Sequence, residues 1–220
     1  MKQAERSADT RRRLLEAALE VFAQDGFRNA TIERICRRAR ANIAAAHYHF
    51  GDKQGLYTAV FEYAEQQRVQ QELGVPEDGN HTPPEERLRA YVTGFLSRLL
   101  DPQRPAWMAR LLARELIEPT PALDRLVSRR MRSNHEQLSA IIRELVGPTA
   151  SDNAIRLCTL SVISQCVFYR NSAAIVARLY PELVPVTEVP RITDHVIEFS
   201  LAAIRGLRDA SRDAEERHVS

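Results

Sequence analysis

The chain has 220 residues, of which 44% are hydrophobic and 27% charged, and its formal net charge is only +2. Such values are ordinary for a globular protein, and the length allows one large helical core or two small domains. No apolar run is long enough to span a bilayer, and residues 1–10 lack the apolar core of a signal peptide. We therefore expect a cytoplasmic protein without a membrane partner.

The charge is unevenly distributed along the chain. Residues 1–53 carry 11 Lys and Arg against 7 Asp and Glu, which leaves 20 against 22 for residues 54–220. A basic N-terminal end is typical of a surface that binds nucleic acid. The three cysteines are odd in number and form no CxxC pair, which argues against a disulfide framework or a thiolate zinc site.

The chain is expected to start with a loose arm over residues 1–8, followed by a helix that begins at Asp9 or Thr10. Gly26 is predicted to end this helix. A basic triplet, Arg11 to Arg13, lies at its start and forms either a solvated face or a contact to phosphate. Apolar residues at helical spacing predict its buried stripe: Leu14, Leu15, Ala18, Leu19 and Phe22.

Residues 31–53 predict a helix, a tight turn, a second short helix and the start of a third. Thr31 and Asn42 are suitable N-caps for the first two helices. The segment Ala39-Arg40-Ala41 is short enough to be the turn between them. Gly51 is predicted to end the second helix, and Asp52 to cap the third.

The second of these helices has an unusually slender first turn, composed largely of alanine. A helix that enters the DNA major groove needs such a closely approaching face, and alanine can contact thymine methyl groups. Lys53 lies at a helix N-terminus, where an anion such as phosphate is already favoured. The alternative is a small alanine-rich hairpin inside a core. The predicted DNA contacts are Thr31, Arg40, Asn42, Ile43, Ala44, Ala45, His47, Tyr48 and Lys53.

On these residues, positions 10–57 resemble the DNA-binding domain of TetR-family transcriptional regulators. The matching segments are Thr10-Arg-Arg-Arg-Leu-Leu-Glu-Ala-Ala, Val21-Phe22, Asp25-Gly26-Phe27, Ala30-Thr31 and Tyr48-His-Phe-Gly-Asp-Lys53 with Gly55-Leu56-Tyr57. The run from Asn42 to Lys53 is similar to the CecR-like subgroup, and the likeness extends more weakly over residues 105–180. One departure is the turn, where the family usually has Ala-Gly-Val and this chain has Ala39-Arg40-Ala41. A left-handed Arg40 would cost about 1 kcal/mol relative to glycine.

Further helices are predicted along the rest of the chain, and no strand pattern stands out. They run from Lys53 to about Val69, from about Pro84, over 106–117, from about 121 to 146, from Ser151 or Asp152, and over 192–207. Thr120 is the predicted N-cap of the helix from about 121. Breaks are predicted near 73–82, 101–105 and 180–190. The tail from Arg208 is expected to be frayed. The prediction is an all-α fold with an N-terminal three-helix helix-turn-helix (HTH) domain at 1–53 and a helical ligand-binding and dimerisation domain at 54–220.

The last two long helices carry more apolar surface than one chain needs, which predicts a homodimer through a four-helix bundle. The two HTH domains of such a dimer would bind a near-palindromic operator of double-stranded DNA with half-sites about 34–36 Å apart. The resemblance further implies a small-molecule effector in the helical body that changes operator affinity. Its candidate contacts are Trp107, Met108, Arg110, Leu111, Arg114, Met131, His135, Cys166 and Tyr169. Core packing is the alternative for the apolar ones, and pairing with a local acid such as Glu115 or Glu118 is the alternative for the two arginines.

The function expected is a ligand-responsive DNA-binding regulator, a repressor by resemblance, without a metal or other cofactor. One alternative is redox sensing through Cys158 and Cys166. These lie about 12 Å apart along one helix, so only a bridge across a dimer is feasible. The other is an all-helical enzyme. His47 and His49 could suggest a metal, but residues two apart on a helix diverge, and no nucleophile motif or phosphate loop is present.

Overall fold

The computed structural model describes residues 2–66, 82–102 and 106–219, and these residues are helical without a strand among them. The all-α prediction is therefore confirmed. None of the helices in these ranges is long and apolar enough to cross a bilayer. Backbone contacts divide the chain into two compact units, residues 1–70 with 105–130 and residues 71–104 with 131–220. The predicted domain division at residue 53 stays a prediction.

The first group of residues, called the N-terminal unit below, contains the predicted HTH segment. Its helices are α1 (Lys2–Asn29), α2 (Ile32–Ala39), α3 (Ile43–Phe50), α4 (Lys53–Gln66), α6 (Ala106–Ile117) and α7 (Pro121–Leu126). Helix α1 contributes the predicted stripe, in which Leu14, Leu15, Ala18, Leu19 and Phe22 are each at most 3% exposed. Phe27, Ile32 and Phe50 pack around this core, together with Leu56, Tyr57 and Val60 of α4.

The second group, called the C-terminal unit, contains the remaining helices. They are α5 (Pro84–Leu99), α8 (Arg132–Val146), α9 (Asp152–Asn171), α10 (Ala173–Leu179) and α11 (Val189–Val219). Helices α5, α8, α9 and α11 share one apolar core, centred on Leu88, Leu96, Leu138, Ile142 and Ile197. Ser151 caps α9, and its hydroxyl accepts a hydrogen bond from the Ala154 amide at 3.2 Å. The helix start predicted at Ser151 or Asp152 is confirmed.

The structure corrects the predicted ends of the chain. Within the arm predicted at 1–8, residues 2–8 are not loose, because α1 is helical from Lys2 onward. Farther along this helix, over residues 9–16, Arg12 pairs at helical spacing with Asp9 and Glu16, at 2.8 and 2.9 Å. Likewise, α11 continues to Val219 rather than fraying from Arg208. Residues 207–219 contain neither glycine nor proline, the two residues least favourable in a helix interior, and acidic and basic residues are interspersed along them.

Other differences concern the interiors of predicted helices. The helix expected from about 121 to 146 contains a π-helical turn, Val127–Met131, between α7 and α8. The helix predicted from Ser151 or Asp152 ends at Asn171, and a separate short helix, α10, follows it before the break at 180–190. Gly26 has φ 79° and ψ 170° and so interrupts α1 as predicted, although helical residues follow it to Asn29. The predicted end of α4 near Val69 and most of the break at 73–82 lie outside the described residues.

Candidate nucleic-acid interface

Helix α2 and its turn have the predicted cap at one end and an unusual residue at the other. The Thr31 hydroxyl accepts a hydrogen bond from the Arg34 amide at 3.2 Å. At the far end Arg40 is left-handed, with φ 50° and ψ 45°. Its amide donates to the Arg37 carbonyl at 3.4 Å, and the Ala41 amide donates to the Cys36 carbonyl at 3.0 Å. This is a Schellman motif, which usually has glycine at the left-handed position.

Helix α3 begins two residues later and exposes one face to solvent. The Asn42 side chain accepts from the Ala45 amide at 2.7 Å, so the predicted N-cap is confirmed. Ala44 is exposed, Ala45 half-buried and Ala46 buried, which makes the exposed side of the first turn narrow. Tyr48 is 83% exposed, more than any other large apolar or aromatic side chain described. Its ring is therefore free to meet a partner outside the chain.

Two predicted DNA contacts are engaged within the chain itself. His47 Nδ1 donates to the carbonyl of Gly51, which ends α3, at 2.6 Å. Lys53 Nζ donates to the carbonyls of Arg28 and Ala30 at 3.1 and 2.9 Å and lies 4.7 Å from the centroid of the Phe27 ring. These bonds use two of the three donors on the Lys53 ammonium and tie the start of α4 to the link between α1 and α2.

The three arginines at positions 11–13 also have partners in the N-terminal unit. Arg11 lies over the Phe50 ring at 5.6 Å from its centroid. Arg12 pairs with Asp9 and Glu16. Arg13 donates to the carbonyls of Ala39 and Arg40 in the HTH turn, at 3.0 and 3.3 Å. The triplet therefore is not a merely solvated face, and sequence spacing gave no signal for the Arg13 contact because the partners lie 26 and 27 residues away.

The candidate effector contacts are divided between the two units. Trp107, Met108 and Leu111 lie on α6 in the N-terminal unit, where Leu111 is fully buried in the core and Met108 is 8% exposed. Arg110 is exposed. In the C-terminal unit Cys166 is buried and Tyr169 packs on the core, and Met131 and His135 lie on the π turn and α8.

Arg114, a candidate effector contact with a local acid as the alternative partner, donates to two backbone carbonyls of α1. Its Nε donates to the Ala23 carbonyl at 3.2 Å and its Nη2 to the Gln24 carbonyl at 2.6 Å. The guanidinium thereby satisfies carbonyls beside the kink of α1 at Gly26. An added Cβ at Gly26 would lie 2.8 Å from Arg114 Nη1, so this glycine also makes room for the contact.

Sequence reasoning missed a buried polar network in the N-terminal unit. Glu115 is only 1% exposed. Its carboxylate accepts from the Tyr57 hydroxyl at 2.7 Å, from the Thr120 amide at 3.1 Å and from the Thr120 hydroxyl at 3.0 Å. Burial, followed by the bond to Glu115 and its charge, raises the pKa of Tyr57 well above its usual range. The predicted role of Thr120 as cap of α7 was the only local signal, and the structure confirms that cap.

The cysteines are poorly suited to exchange with solvent oxidants. Cys36 and Cys166 are buried and Cys158 is half-buried, and all three are free thiols. Burial raises the pKa of each of the three thiols, that of Cys166 to about 12. Because the thiolate is the reactive form, this environment disfavours oxidation.

Large apolar side chains lie exposed on α9 and α11. On α9 they are Leu157, Leu160 and Phe168, at 56%, 51% and 52% exposure, and Phe199 on α11 is 60% exposed. The opposite faces of both helices contribute Ile155, Val162, Val196 and Ile197 to the core. Each helix is thus apolar on two sides, as its sequence predicted, but a single chain covers only one of them.

Two family descriptions match this chain. The model for bacterial regulatory proteins of the tetR family matches residues 14–60, and that for the C-terminal domain of the HTH-type transcriptional dual regulator CecR matches residues 84–204. The HTH-type transcriptional repressor NicS of Pseudomonas putida is 25% identical over 214 residues, covering 94% of this chain and 96% of that protein.

Another relative agrees with these matches, and one solved structure shares the fold. The HTH-type transcriptional dual regulator CecR of Shigella flexneri is 27% identical over 168 residues, covering 73% of this chain and 75% of that protein. The crystal structure of a putative transcriptional regulator from Pseudomonas aeruginosa PAO1 is similar in fold, with a TM-score of 0.64 at 20% identity, covering 94% of this chain and 96% of that one.

Proposed function

Because this chain belongs to the TetR family of DNA-binding transcriptional regulators and carries a CecR-type C-terminal domain, we propose that it is a dimeric repressor released from its operator by a small-molecule effector. NicS is named a repressor, and this chain is similar to it over nearly its full length, which favours repression. CecR is named a dual regulator. Activation at some promoters is therefore the second candidate.

The observation that carries the DNA-binding half of the proposal is the exposed face of α3. Both ends of this helix are fixed, by the Asn42 cap and by Gly51, while Ala44 and Tyr48 remain open to solvent. In this proposal Ala44, Ala45 and Ile43 approach base edges, and Tyr48 donates to a phosphate. Thr31, Arg40, Asn42, His47 and Lys53 complete the contact set. Because His47 and Lys53 already bond to carbonyls within the chain, their main proposed role is to position the helices, and DNA contact is their secondary role.

The observation that favours a homodimer is the uncovered apolar face of α9 and α11. Two such helices from each of two chains can form a four-helix bundle and bury the faces that carry Phe168 and Phe199. A two-fold axis would then present two α3 helices to a near-palindromic site. The dimer thereby accounts for apolar surface that one chain leaves in water.

For the effector, the proposal keeps the helical body as the binding region. Met131, His135, Cys166 and Tyr169 are its candidates in the C-terminal unit, and Trp107, Met108, Arg110 and Leu111 are those in the N-terminal unit. Arg114 is the weakest candidate, since two of its nitrogens already bond to carbonyls. An effector acts by binding more tightly to the conformation that does not fit the operator.

The proposal is tested by fluorescence anisotropy with duplex DNA from just upstream of the gene, over a salt series. We expect tight, salt-sensitive binding of two subunits per site, and weaker binding to a scrambled duplex. Tyr48→Ala should weaken binding to every duplex by about tenfold, the value of a hydrogen bond to a charged group. Tyr180→Ala, which removes a tyrosine 54% exposed in the C-terminal unit, is the matched control.

Equal binding of the upstream and scrambled duplexes would contradict a local operator, and selection from a random-sequence pool then decides whether any sequence is preferred. A Tyr48→Ala protein with native affinity would remove the assigned role of that hydroxyl. Compounds that raise the melting temperature of the protein and release it from DNA identify the effector class.

A further inference from the structure

The turn between α2 and α3 is held by a side chain from the start of α1. Arg13 Nη1 donates to the carbonyl oxygens of Ala39 and Arg40, at 3.0 and 3.3 Å. The amides of Arg40 and Ala41 already donate to α2 carbonyls in the Schellman motif. A guanidinium from another helix therefore supplies the donors for two carbonyls at the C-terminal end of α2, where a positive charge is also favoured.

These two carbonyls bear directly on the direction of α3. Only Ala41 separates Arg40 from Asn42, the N-cap of α3. Arg40 is left-handed without being glycine, so the local backbone is held in a conformation that its own side chain disfavours. Fixing the Ala39 and Arg40 carbonyls thus fixes the angle at which α3 leaves the turn.

Arg13 can act as a fixed point because its remaining nitrogens are themselves held. Its Nε donates to Asp9 Oδ2 at 3.0 Å and its Nη2 to the Thr10 hydroxyl at 3.3 Å. The adjacent residues Leu14 and Leu15 are fully buried, so the helix that bears Arg13 is anchored in the core. The planar fork of arginine serves all four partners at once, which a lysine ammonium cannot do.

We propose that Arg13 is a positioning residue for operator specificity: by holding the Ala39 and Arg40 carbonyls, it sets the angle at which α3 presents Ala44 and Ala45 to base edges. This role rests on the proposed function of α3. Arg13 does not bind phosphate in this role, although it lies in the basic triplet Arg11 to Arg13. A positioning residue and a phosphate contact make opposite predictions for binding to non-specific DNA.

The experiment uses the full chain and two duplexes, the preferred sequence selected by the native protein from a random pool and a scrambled duplex of equal composition. Arg13→Met removes the donors and the charge while keeping much of the side-chain length. The preference for the selected duplex should fall by about tenfold, comparable to losing one base contact. Affinity for the scrambled duplex and the salt slope should stay native, and Arg13→Lys should fail to restore the preference.

Arg12→Met is the matched control, since Arg12 is adjacent, exposed and paired with Asp9 and Glu16 rather than with the turn. It should keep the native preference. All binding is measured about 10 °C or more below each variant's melting temperature, so that every variant is folded during the measurement. If Arg13→Met does not fold, Arg13→Lys, which keeps the charge, carries the test alone.

The role of Arg13 would be overturned by uniform weakening on both duplexes or by a preference that Arg13→Met retains. Uniform weakening on both duplexes, with a salt slope reduced by about one per subunit and restored by Arg13→Lys, identifies a phosphate contact. A lower melting temperature with native preference identifies a purely structural bond. A native protein that selects no sequence overturns the repressor function itself, whereas a native preference that Arg13→Met retains overturns only the positioning role.

Discussion

The two compact units use their side chains in opposite ways. In the N-terminal unit, Arg13, Lys53 and Arg114 each donate to two backbone carbonyls of another segment, and the buried carboxylate of Glu115 is fully paired. In the C-terminal unit, large apolar side chains such as Phe168 and Phe199 remain more than half exposed. The first unit uses these cations to bond its own backbone segments together around a fixed helix, α3. The second leaves an apolar face of α9 and α11 uncovered.

The largest effect is expected where that surface is disrupted. Phe199→Glu places a charge on the apolar face of α11 and should prevent dimerisation, because an unpaired charge is costly to bury. Operator affinity should fall by about 100-fold or more. In a dimer, binding of the first HTH domain raises the effective concentration of the second at its half-site, and a monomer loses this gain. Sedimentation equilibrium and anisotropy measure the two effects. Leu116→Glu, at a residue 59% exposed in the N-terminal unit, should alter neither.

If Phe199→Glu still forms a dimer with native operator affinity, the exposed face of α11 is not the dimer interface and its exposure needs another explanation.

An intermediate effect is expected where the internal pairing of the N-terminal unit is removed. Glu115→Ala leaves the buried Tyr57 hydroxyl and the Thr120 amide without their acceptor and should lower the free energy of unfolding by about 2–4 kcal/mol. Glu115→Gln keeps an acceptor oxygen in place and should lose less than half as much. Urea denaturation of both variants measures the difference. Equal losses would mean that the charge of Glu115, rather than its acceptor geometry, stabilises the unit.

The smallest effect, and the only gain, is expected at the HTH turn. Arg40→Gly removes the steric strain of a left-handed arginine at φ 50° and should stabilise the unit by up to about 1 kcal/mol. Arg37→Gly, within α2, should destabilise it by a similar amount, because glycine is unfavourable in a right-handed helix. Opposite shifts in melting temperature would sharpen the view that one conformation, not the arginine charge, limits this turn. Shifts of the same sign would contradict it.

The predictable parts of the fold were those encoded by neighbours in sequence. Caps were identified at Thr31, Asn42 and Thr120, and a helix start at Ser151 or Asp152, because a cap acts on an amide two or three residues away. The buried stripe of α1 follows from helical spacing alone. The π turn at Val127–Met131 had no such local signal.

The parts of the candidate site that sequence could not give are contacts across long separations. The sequence predicted a phosphate contact for Lys53, and a solvated face or a phosphate contact for Arg13. The carbonyls that they bond to lie 23 to 27 residues away. Arg114 bonds to residues 90 and 91 positions before it. A cation's sequence position shows that it is near the site, while only the folded chain shows which of its donors are already used.

The engagement of Lys53 has a practical consequence, because this arginine-rich chain has just two lysines, Lys2 and Lys53. A lysine-specific endopeptidase cutting after Lys53 separates residues 1–53 from 54–220. That peptide bond lies in the first turn of α4, and its lysine is bonded to the Arg28 and Ala30 carbonyls. Cleavage there requires local opening. The rate at which the two fragments appear on a gel therefore measures how often the first turn of α4 opens.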